Sequence, residues 1–260
     1  MNRPLVTTGQ HPDERSEELA RRVAGELGSE FVPRKKRSVR KLMNEYGCPV
    51  VVAGKDRYEY HTDPDVQPLF FHPGLAAIRI KRLRDGGRDV MADTCGLRPG
   101  DSFLDCTLGL GTDSTVASFI VGAEGRVTGC EADPVVAYIV SQGLEGYTDS
   151  EPEVLEAMRR IEVRSEEAGE YLAGCPDNSR DIVYLDPMFE EAIEESAAFA
   201  PLRSAGVHGL PGDRLFEEAR RVARRRVVIK AHFKSALFDR YGFRQIERPN
   251  TKFHYGVLEV

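Results

Sequence analysis

The chain has 260 residues, which is enough for one large α/β domain or a domain with a smaller appendage, and this excludes a structural mini-protein. Its hydrophobic fraction of 41% and charged fraction of 30% are typical of a globular protein, and no apolar stretch approaches the roughly 20 residues of a membrane span. The amino terminus lacks an apolar signal core, so we expect a cytoplasmic protein. The five cysteines form no C-x-x-C pair, so we expect reduced thiols and no metal site.

Residues 1–92 alternate short apolar runs with polar helical segments. We predict helices over about 13–27 and 38–46, and strands at 5–8, 50–54 and 57–61, which together make a small α+β domain. Another helix, over residues 75–84, precedes a glycine-rich break. We therefore divide the chain into a basic amino-terminal region, 1–92, and a second domain, 93–260.

From residue 102 onward, strand candidates alternate with helical segments. The strands are predicted at 102–106, 126–130, 160–163, 181–185 and 226–229. Such alternation predicts an α/β fold with a parallel sheet that is covered on both faces. Two final strand candidates, at 241–247 and 253–260, are joined by so short a turn that they must be antiparallel.

A glycine-rich loop follows the first strand of this series, at residues 105–113 (DCTLGLGTD). Ligands bind at the carboxyl ends of the strands of an open parallel sheet, and glycines let the backbone approach a ligand closely. Glu131 ends the next strand, where a carboxylate is placed to accept hydrogen bonds from both ribose hydroxyls. Ser114 stands where the dinucleotide fingerprint has its third glycine, so an NAD-linked dehydrogenase is disfavoured. A structural loop or another nucleotide site remains open on these residues alone.

Three further polar residues lie at expected loop or helix starts. Ser165 and Glu166 follow the third strand, where they suit either an adenine amine or a helix cap with an acid in the first turn. Asp113 begins the helix after the glycine loop and has the same two interpretations.

The tetrapeptide at residues 186–189 (DPMF) directly follows the apolar run of the fourth strand. Read alone, it is a strand followed by a proline turn and a buried phenylalanine. Behind a cofactor loop, the same residues suit chemistry on a planar amine, because Asp186 supplies an acceptor and Phe189 a stacking face.

With these residues in place, the chain resembles the small-subunit (16S) rRNA guanine N2-methyltransferases and their uncharacterised bacterial relatives. These enzymes are class I S-adenosylmethionine (SAM) methyltransferases. The matching stretches are 105–113, 131–137 and 184–189, with Thr107 replacing the usual first glycine of the loop. Met188 stands where most amino-methyltransferases have a second proline, which makes the resemblance specific. The resemblance implies a Rossmann-like, mostly parallel sheet with an antiparallel carboxy-terminal strand, and SAM as the cofactor.

The resemblance also implies which residues contact the cofactor. The expected residues are Asp105, Gly109, Gly111, Thr112, Asp113, Glu131, Ala132, Ser165, Glu166 and Asp186.

The expected reaction is methyl transfer to an exocyclic amine, most specifically guanine N2 in rRNA. The catalytic residues are then Asp186 and Pro187, whose oxygens accept the hydrogens of the amine, and Phe189, which stacks on the base. The alternatives are methylation of a small molecule or a protein amine, or a non-catalytic RNA-binding protein with a vestigial cofactor pocket.

Basic side chains are concentrated in two segments of the first hundred residues. A solvated charged face is the simpler interpretation of such a run. In an enzyme that acts on RNA, the same side chains position phosphates. The predicted partner is RNA, either rRNA or the small ribosomal subunit, and the predicted contacts are Arg34, Lys35, Lys36, Arg37, Arg40, Lys41, Arg79, Lys81 and Arg82.

Overall fold

A computed structural model of the chain describes residues 3–55, 57–187, 212–249 and 251–260. Within these ranges, residues 3–72 and 133–143 form one compact unit. Residues 73–132, together with the described residues of 144–260, form a second unit. The division of the chain after residue 92 stays a prediction, and the contacts place residues 73–92 with the second unit.

The first unit contains a four-stranded sheet with the strand order β2-β1-β3-β4. Strand β1 is parallel to β2 and β3, and β4 pairs antiparallel with β3. The helices begin where expected, because the side chains of Asp13 and Ser38 accept backbone hydrogen bonds as amino-terminal caps. The elements are β1 (Leu5–Thr8), α1 (Glu14–Glu26), β2 (Glu30–Phe31), α2 (Val39–Tyr46), β3 (Val50–Ala53) and β4 (Tyr58–His61).

The helices and strands that follow along the chain confirm the alternating pattern that the sequence predicts. They are α3 (Leu75–Arg84), α4 (Val90–Cys95), β5 (Ser102–Asp105), α5 (Thr112–Val121), β6 (Arg126–Cys130), α6 (Pro134–Gly146), α7 (Pro152–Arg159), β7 (Ile161–Arg164), α8 (Ala168–Ala173), β8 (Arg180–Leu185), α9 (Asp213–Val222), β9 (Ala223–His232), α10 (Leu237–Tyr241), β10 (Arg244–Ile246) and β11 (Phe253–Glu259). In the described part of the chain, no helix is long and apolar enough to span a membrane.

The second unit is built on a seven-stranded sheet with the order β10-β11-β9-β8-β5-β6-β7. Strands β5 to β9 pair in parallel, and β11 runs antiparallel to both β9 and β10. The predicted Rossmann-like sheet with an antiparallel carboxy-terminal strand is therefore confirmed.

Side chains alternate between the two faces of the central strands, which are buried on both sides. Val183 and Ile229 point to one face and belong to an apolar cluster with side chains of α8, α9 and α10. Phe103 and Tyr184 point to the other face and stack with their ring centroids 5.7 Å apart. Period-two alternation therefore places the strand-end positions 105 and 186 on the same face as Phe103 and Tyr184.

A buried ion network joins α3, α4 and α5. Arg79 on α3 donates to both carboxylate oxygens of Asp89 at 2.7 and 2.9 Å, and to Asp113 Oδ1 at 2.5 Å. Asp89 also caps α4 by accepting a hydrogen bond from the Ala92 amide. Only 17% of the Arg79 side chain is exposed, so its charge depends on these two carboxylates for compensation.

The Arg79→Ala variant is expected to lower the free energy of unfolding by roughly 3–5 kcal/mol, because it removes the cation that is hydrogen-bonded to two largely buried carboxylates. Urea denaturation measures the change. Lys81→Ala on the exposed side of the same helix is the matched control and should stay within about 0.5 kcal/mol of wild type. Equal stability of the two variants would contradict this account of the network.

Candidate functional site

The glycine loop connects the carboxyl end of β5 to the start of α5. Gly109 and Gly111 have φ values of 51° and 74°, a left-handed conformation that glycine adopts without strain. The Leu108 amide donates to the Cys130 carbonyl at 2.9 Å, which fastens the loop to the end of β6. Thr112 then begins α5, so the free amides of this helix lie at the carboxyl edge of the sheet.

Asp105 ends β5 and points into the protein. Its Oδ2 accepts a hydrogen bond from the Ser114 hydroxyl at 2.7 Å, and its Oδ1 accepts one from the Thr107 amide at 3.0 Å. Burial, and next the negative charge of Asp113, raise the pKa of Asp105 to about 7 against the lowering effect of the Ser114 hydrogen bond. The serine that departs from the dinucleotide fingerprint thus serves as the hydrogen-bond donor to this carboxyl group.

Glu131 follows β6, next to the glycine loop. Its Oε2 accepts a hydrogen bond from the Gly109 amide at 3.3 Å, and its own amide donates to the Arg164 carbonyl at the end of β7. The structure therefore brings Glu131 and Gly109 together as the sequence suggests. Ala132 beside it is half-buried, whereas the residues that follow β7, Ser165 and Glu166, are exposed.

Asp113 lies in the first turn of α5 and is engaged on both carboxylate oxygens. Arg79 donates to Oδ1, and the Tyr184 hydroxyl donates to Oδ2 at 2.9 Å. Burial opposes ionisation, but Lys230 and Arg79 lower the pKa of Asp113 below its usual value. Asp113 is therefore held as an anion at the base of the glycine loop.

Asp186 stands directly after β8. Its amide donates to the Thr107 hydroxyl at 2.7 Å, and its Oδ2 accepts a hydrogen bond from Lys230 Nζ at 2.5 Å. Burial raises the pKa of Asp186, and the nearby ammonium group of Lys230 opposes that shift. Thr107, which replaces a glycine of the family pattern, therefore joins the end of β8 to the loop after β5.

Lys230 is a candidate site residue that sequence reasoning missed. The sequence predicts the β9 strand only as far as residue 229, whereas the structure extends it to His232. In the sequence, the available signal is that Lys230 directly follows an apolar run. Its strand, β9, pairs with β8, and Asp186 directly follows β8.

Pro187 is buried beside Asp186. Met188 and Phe189 lie outside the described residues, so the expected stacking role of Phe189 stays a prediction.

The basic residues expected to contact RNA differ in their surroundings. Arg34 donates to the carbonyls of Thr8 and Arg37, whereas Arg37 itself forms an ion pair with Glu45 at 3.0 Å. Arg79 belongs to the ion network described above. The remaining side chains are exposed, and Arg40 among them pairs with Asp65 at 3.2 Å; the exposed residues are Lys35, Lys36, Arg40, Lys41, Lys81 and Arg82.

Four carboxyl groups therefore lie at the carboxyl edge of the sheet in the second unit. They belong to Asp105, Asp113, Glu131 and Asp186, and they flank a loop that offers backbone amides. This donor set suits a ligand that combines ribose hydroxyls with positive charge, as SAM does. Among the described residues, no group of three or more His, Cys, Asp or Glu side chains is arranged to hold a metal ion.

Comparison with known proteins gives a match to a family model described as "putative SAM-dependent methyltransferase" over residues 59–254. The uncharacterised protein YpiP of Bacillus subtilis is 39% identical over 256 residues, which cover 98% of this chain and 99% of YpiP. A ribosomal RNA small subunit methyltransferase J of Pseudomonas paraeruginosa is 29% identical over 230 residues, which cover 85% of this chain and 83% of that protein.

The fold is also similar to that of a solved structure. A SAM-dependent methyltransferase from Neisseria gonorrhoeae superposes with a TM-score of 0.61 at 20% identity, over 98% of this chain and 95% of that chain. The expected cofactor and class of enzyme are thus confirmed, and the chain belongs to the family of SAM-dependent methyltransferases.

Proposed function

We propose that this enzyme methylates an exocyclic amine of a base in RNA, and that the target is guanine N2 in small-subunit rRNA. The observation that carries the proposal is the corner at Asp186, where a half-buried carboxylate and the Pro187 carbonyl directly follow β8 beside the glycine loop. The name of the Pseudomonas relative supports rRNA as the kind of substrate.

An exocyclic guanine amine is a weak nucleophile because its lone pair is delocalised into the ring. Two acceptors that take both amine hydrogens favour a pyramidal nitrogen, whose lone pair is then available for in-line attack. Lys230 occupies Oδ2 of Asp186, and Oδ1 has no hydrogen bond within the described ranges of the chain. We assign Oδ1 and the Pro187 carbonyl as the two acceptors, and Phe189 as the stacking face.

Lys230 stabilises and orients the Asp186 carboxylate in this arrangement. Asp186 is the stronger acceptor for the amine hydrogen while it is ionised, and burial favours its protonated form. The ammonium group at 2.5 Å favours the carboxylate and fixes one of its oxygens. Lys230 is therefore a positioning residue for the amine acceptor.

SAM, when bound, supplies the methyl group as an electrophile on a sulfonium. We assign Glu131 to the ribose hydroxyls, and Ser165 and Glu166 to the adenine amine, because these residues follow adjacent strands at the carboxyl edge. Asp105, Gly109, Gly111, Thr112 and Ala132 complete the proposed contacts, and Asp113 supplies negative charge near the cationic end of the cofactor.

Mass mapping of rRNA modifications in a strain that lacks the gene tests the proposal directly. One guanine of the small-subunit rRNA should lose a single methyl group, and the purified enzyme with SAM should restore it on rRNA from that strain. An unchanged modification map, combined with methyl transfer to a small molecule or a protein, would show that the substrate is not RNA.

Asp186→Asn is expected to lower the rate of methyl transfer by about 100-fold or more, because the amide lacks the negative charge that favours the reactive form of the amine. The side chain keeps its size, so SAM binding measured by calorimetry should weaken much less, by about threefold to tenfold through the lost negative charge. Asp181→Asn, which alters an acid on the same strand near its amino end, is the matched control. Methyl transfer near the wild-type rate in Asp186→Asn would remove this carboxylate from the mechanism.

The affinity for SAM is expected to rise from about pH 6 to pH 8, because Asp105, with its pKa raised to about 7, gains negative charge over that interval. S-adenosylhomocysteine has a neutral sulfur, so its affinity should rise less, and the ratio of the two dissociation constants should change by about threefold to tenfold. Calorimetry across this pH range measures both ligands.

In the Asp105→Asn variant, the ratio of the two dissociation constants should no longer depend on pH. In Asp93→Asn on α4, the pH dependence of that ratio should be the same as in wild type. A ratio that stays pH-dependent in Asp105→Asn would assign the titration to another group.

Replacing both Lys35 and Lys36 with alanine is expected to weaken rRNA binding and to reduce its logarithmic salt slope by about 1 to 2, because two phosphate contacts are lost. SAM binding should not change. The double replacement of Arg15 and Arg22, two exposed cations on α1, removes the same charge and is the matched control. Equal effects of the two double variants would indicate a general charge effect instead of a contact surface.

A further inference from the structure

Two phenylalanine rings are exposed where β9 ends and β11 begins. Phe233 and Phe253 have 40% and 41% of their surface exposed, which is unusual for side chains of this size. We name these two residues, with His232 and Lys234, the aromatic patch. All four lie in the second unit.

The backbone of the aromatic patch is fixed by hydrogen bonds. The Phe233 amide donates to the Lys252 carbonyl, and the Gln245 side chain donates to the Phe233 carbonyl, both at 2.9 Å. The His232 ring lies 4.6 Å from the Phe233 ring and 6.4 Å from the Phe253 ring, measured between centroids. The exposed rings therefore stand on hydrogen-bonded backbone at the end of β9 and the start of β11, with part of their surfaces exposed.

Basic side chains lie close to the aromatic patch, and Lys234 lies against one of its rings. Lys234 Nζ lies 5.4 Å from the centroid of the Phe233 ring, and the Arg248 guanidinium lies at the same distance from that of Tyr255. Residues 244–254 contain three basic residues and one acidic residue. Aromatic faces interleaved with cations suit a single-stranded nucleic acid, whose bases stack while its phosphates are neutralised.

The strand register connects the aromatic patch to Asp186. On neighbouring antiparallel strands, His232 pairs with Phe253 and Lys230 pairs with Tyr255. Lys230 donates a hydrogen bond to Asp186. His232, the first residue of the aromatic patch, therefore lies only two residues, about 7 Å, further along β9. Side chains two residues apart on a strand share a face, which places His232 and Phe253 on the same face as the amine acceptor, while Phe233 follows directly after the end of β9.

We propose that the aromatic patch binds unpaired RNA nucleotides adjacent to the target base, which stack on Phe233 and Phe253 while Lys234 contacts a phosphate. This inference rests on the proposed function, because it concerns the same RNA. It adds a substrate requirement, namely that the target lies in a single-stranded or unpaired segment.

The test uses the full chain and a fluorescent single-stranded RNA of about 12 nucleotides, with a duplex of the same sequence for comparison. Phe233→Ala and Phe253→Ala should each weaken single-strand binding by roughly tenfold, which corresponds to the loss of one stacked base. Phe233→Tyr keeps an aromatic face and should bind within about twofold of wild type. Val90→Ala removes a comparably exposed apolar side chain on α4 and should change nothing.

SAM calorimetry and thermal unfolding verify that each variant is folded, and the duplex should bind all variants alike. Wild-type affinity of the Phe233→Ala, Phe253→Ala double variant for the single strand overturns the inference, even if rRNA methylation persists and the proposed function stands. If single-stranded RNA binding depends on the two phenylalanine rings but the enzyme does not methylate rRNA, the proposed function is overturned and the aromatic patch remains an RNA-binding surface. Absence of RNA binding by wild type would overturn the inference as well.

Discussion

The site depends on charge compensation between half-buried carboxylates and two cations. Asp113 and Asp186 have only 16% and 22% of their side chains exposed, so an unpaired charge at either position is costly. Arg79 and Lys230 supply the opposite charges at 2.5 Å each. Within the described ranges Asp105 has hydrogen-bond donors but no ion pair with a cation, and burial raises its pKa to about 7. The pKa of Asp113 is therefore lowered whereas those of Asp105 and Asp186 are raised, because their partners differ.

These cations come from elements that are distant in the sequence. Arg79 lies on α3, before the first strand of the large sheet, and Lys230 lies on β9, near its end. The acids become stable as anions only after both elements have packed against the central strands. Folding and the electrostatic preparation of the site are thus one event, since a chain that lacks either contact has to protonate or expose a carboxylate.

The sequence was sufficient for the parallel strands, because short buried apolar segments such as 103–104 and 182–185 alternate with helical segments. It was also sufficient for the glycine loop, because Gly109 and Gly111 adopt positive φ values, and for Glu131, because this residue directly follows a predicted strand. It was insufficient for pairings that depend on the tertiary fold. A lysine at the end of an apolar run gives no indication that it will meet Asp186, and Arg79 looks like the exposed cations beside it, although the structure pairs it with two acids. Helix α4 has only six residues, too few for a periodic pattern.

The pairing register of β9 is constrained from both sides, because each face of the strand makes a specific contact. Ile229 and Ala231 fill the apolar cluster on one face, while Lys230 contacts Asp186 on the other. A slip of one residue would turn Lys230 into the apolar cluster and present an aliphatic side chain to Asp186, since side chains alternate with a period of two. The antiparallel pairing of β11 across seven residues of β9 opposes such a slip. The carboxy-terminal strand, which is distant in sequence from the cofactor loop, therefore fixes the register that places Lys230 beside the amine acceptor.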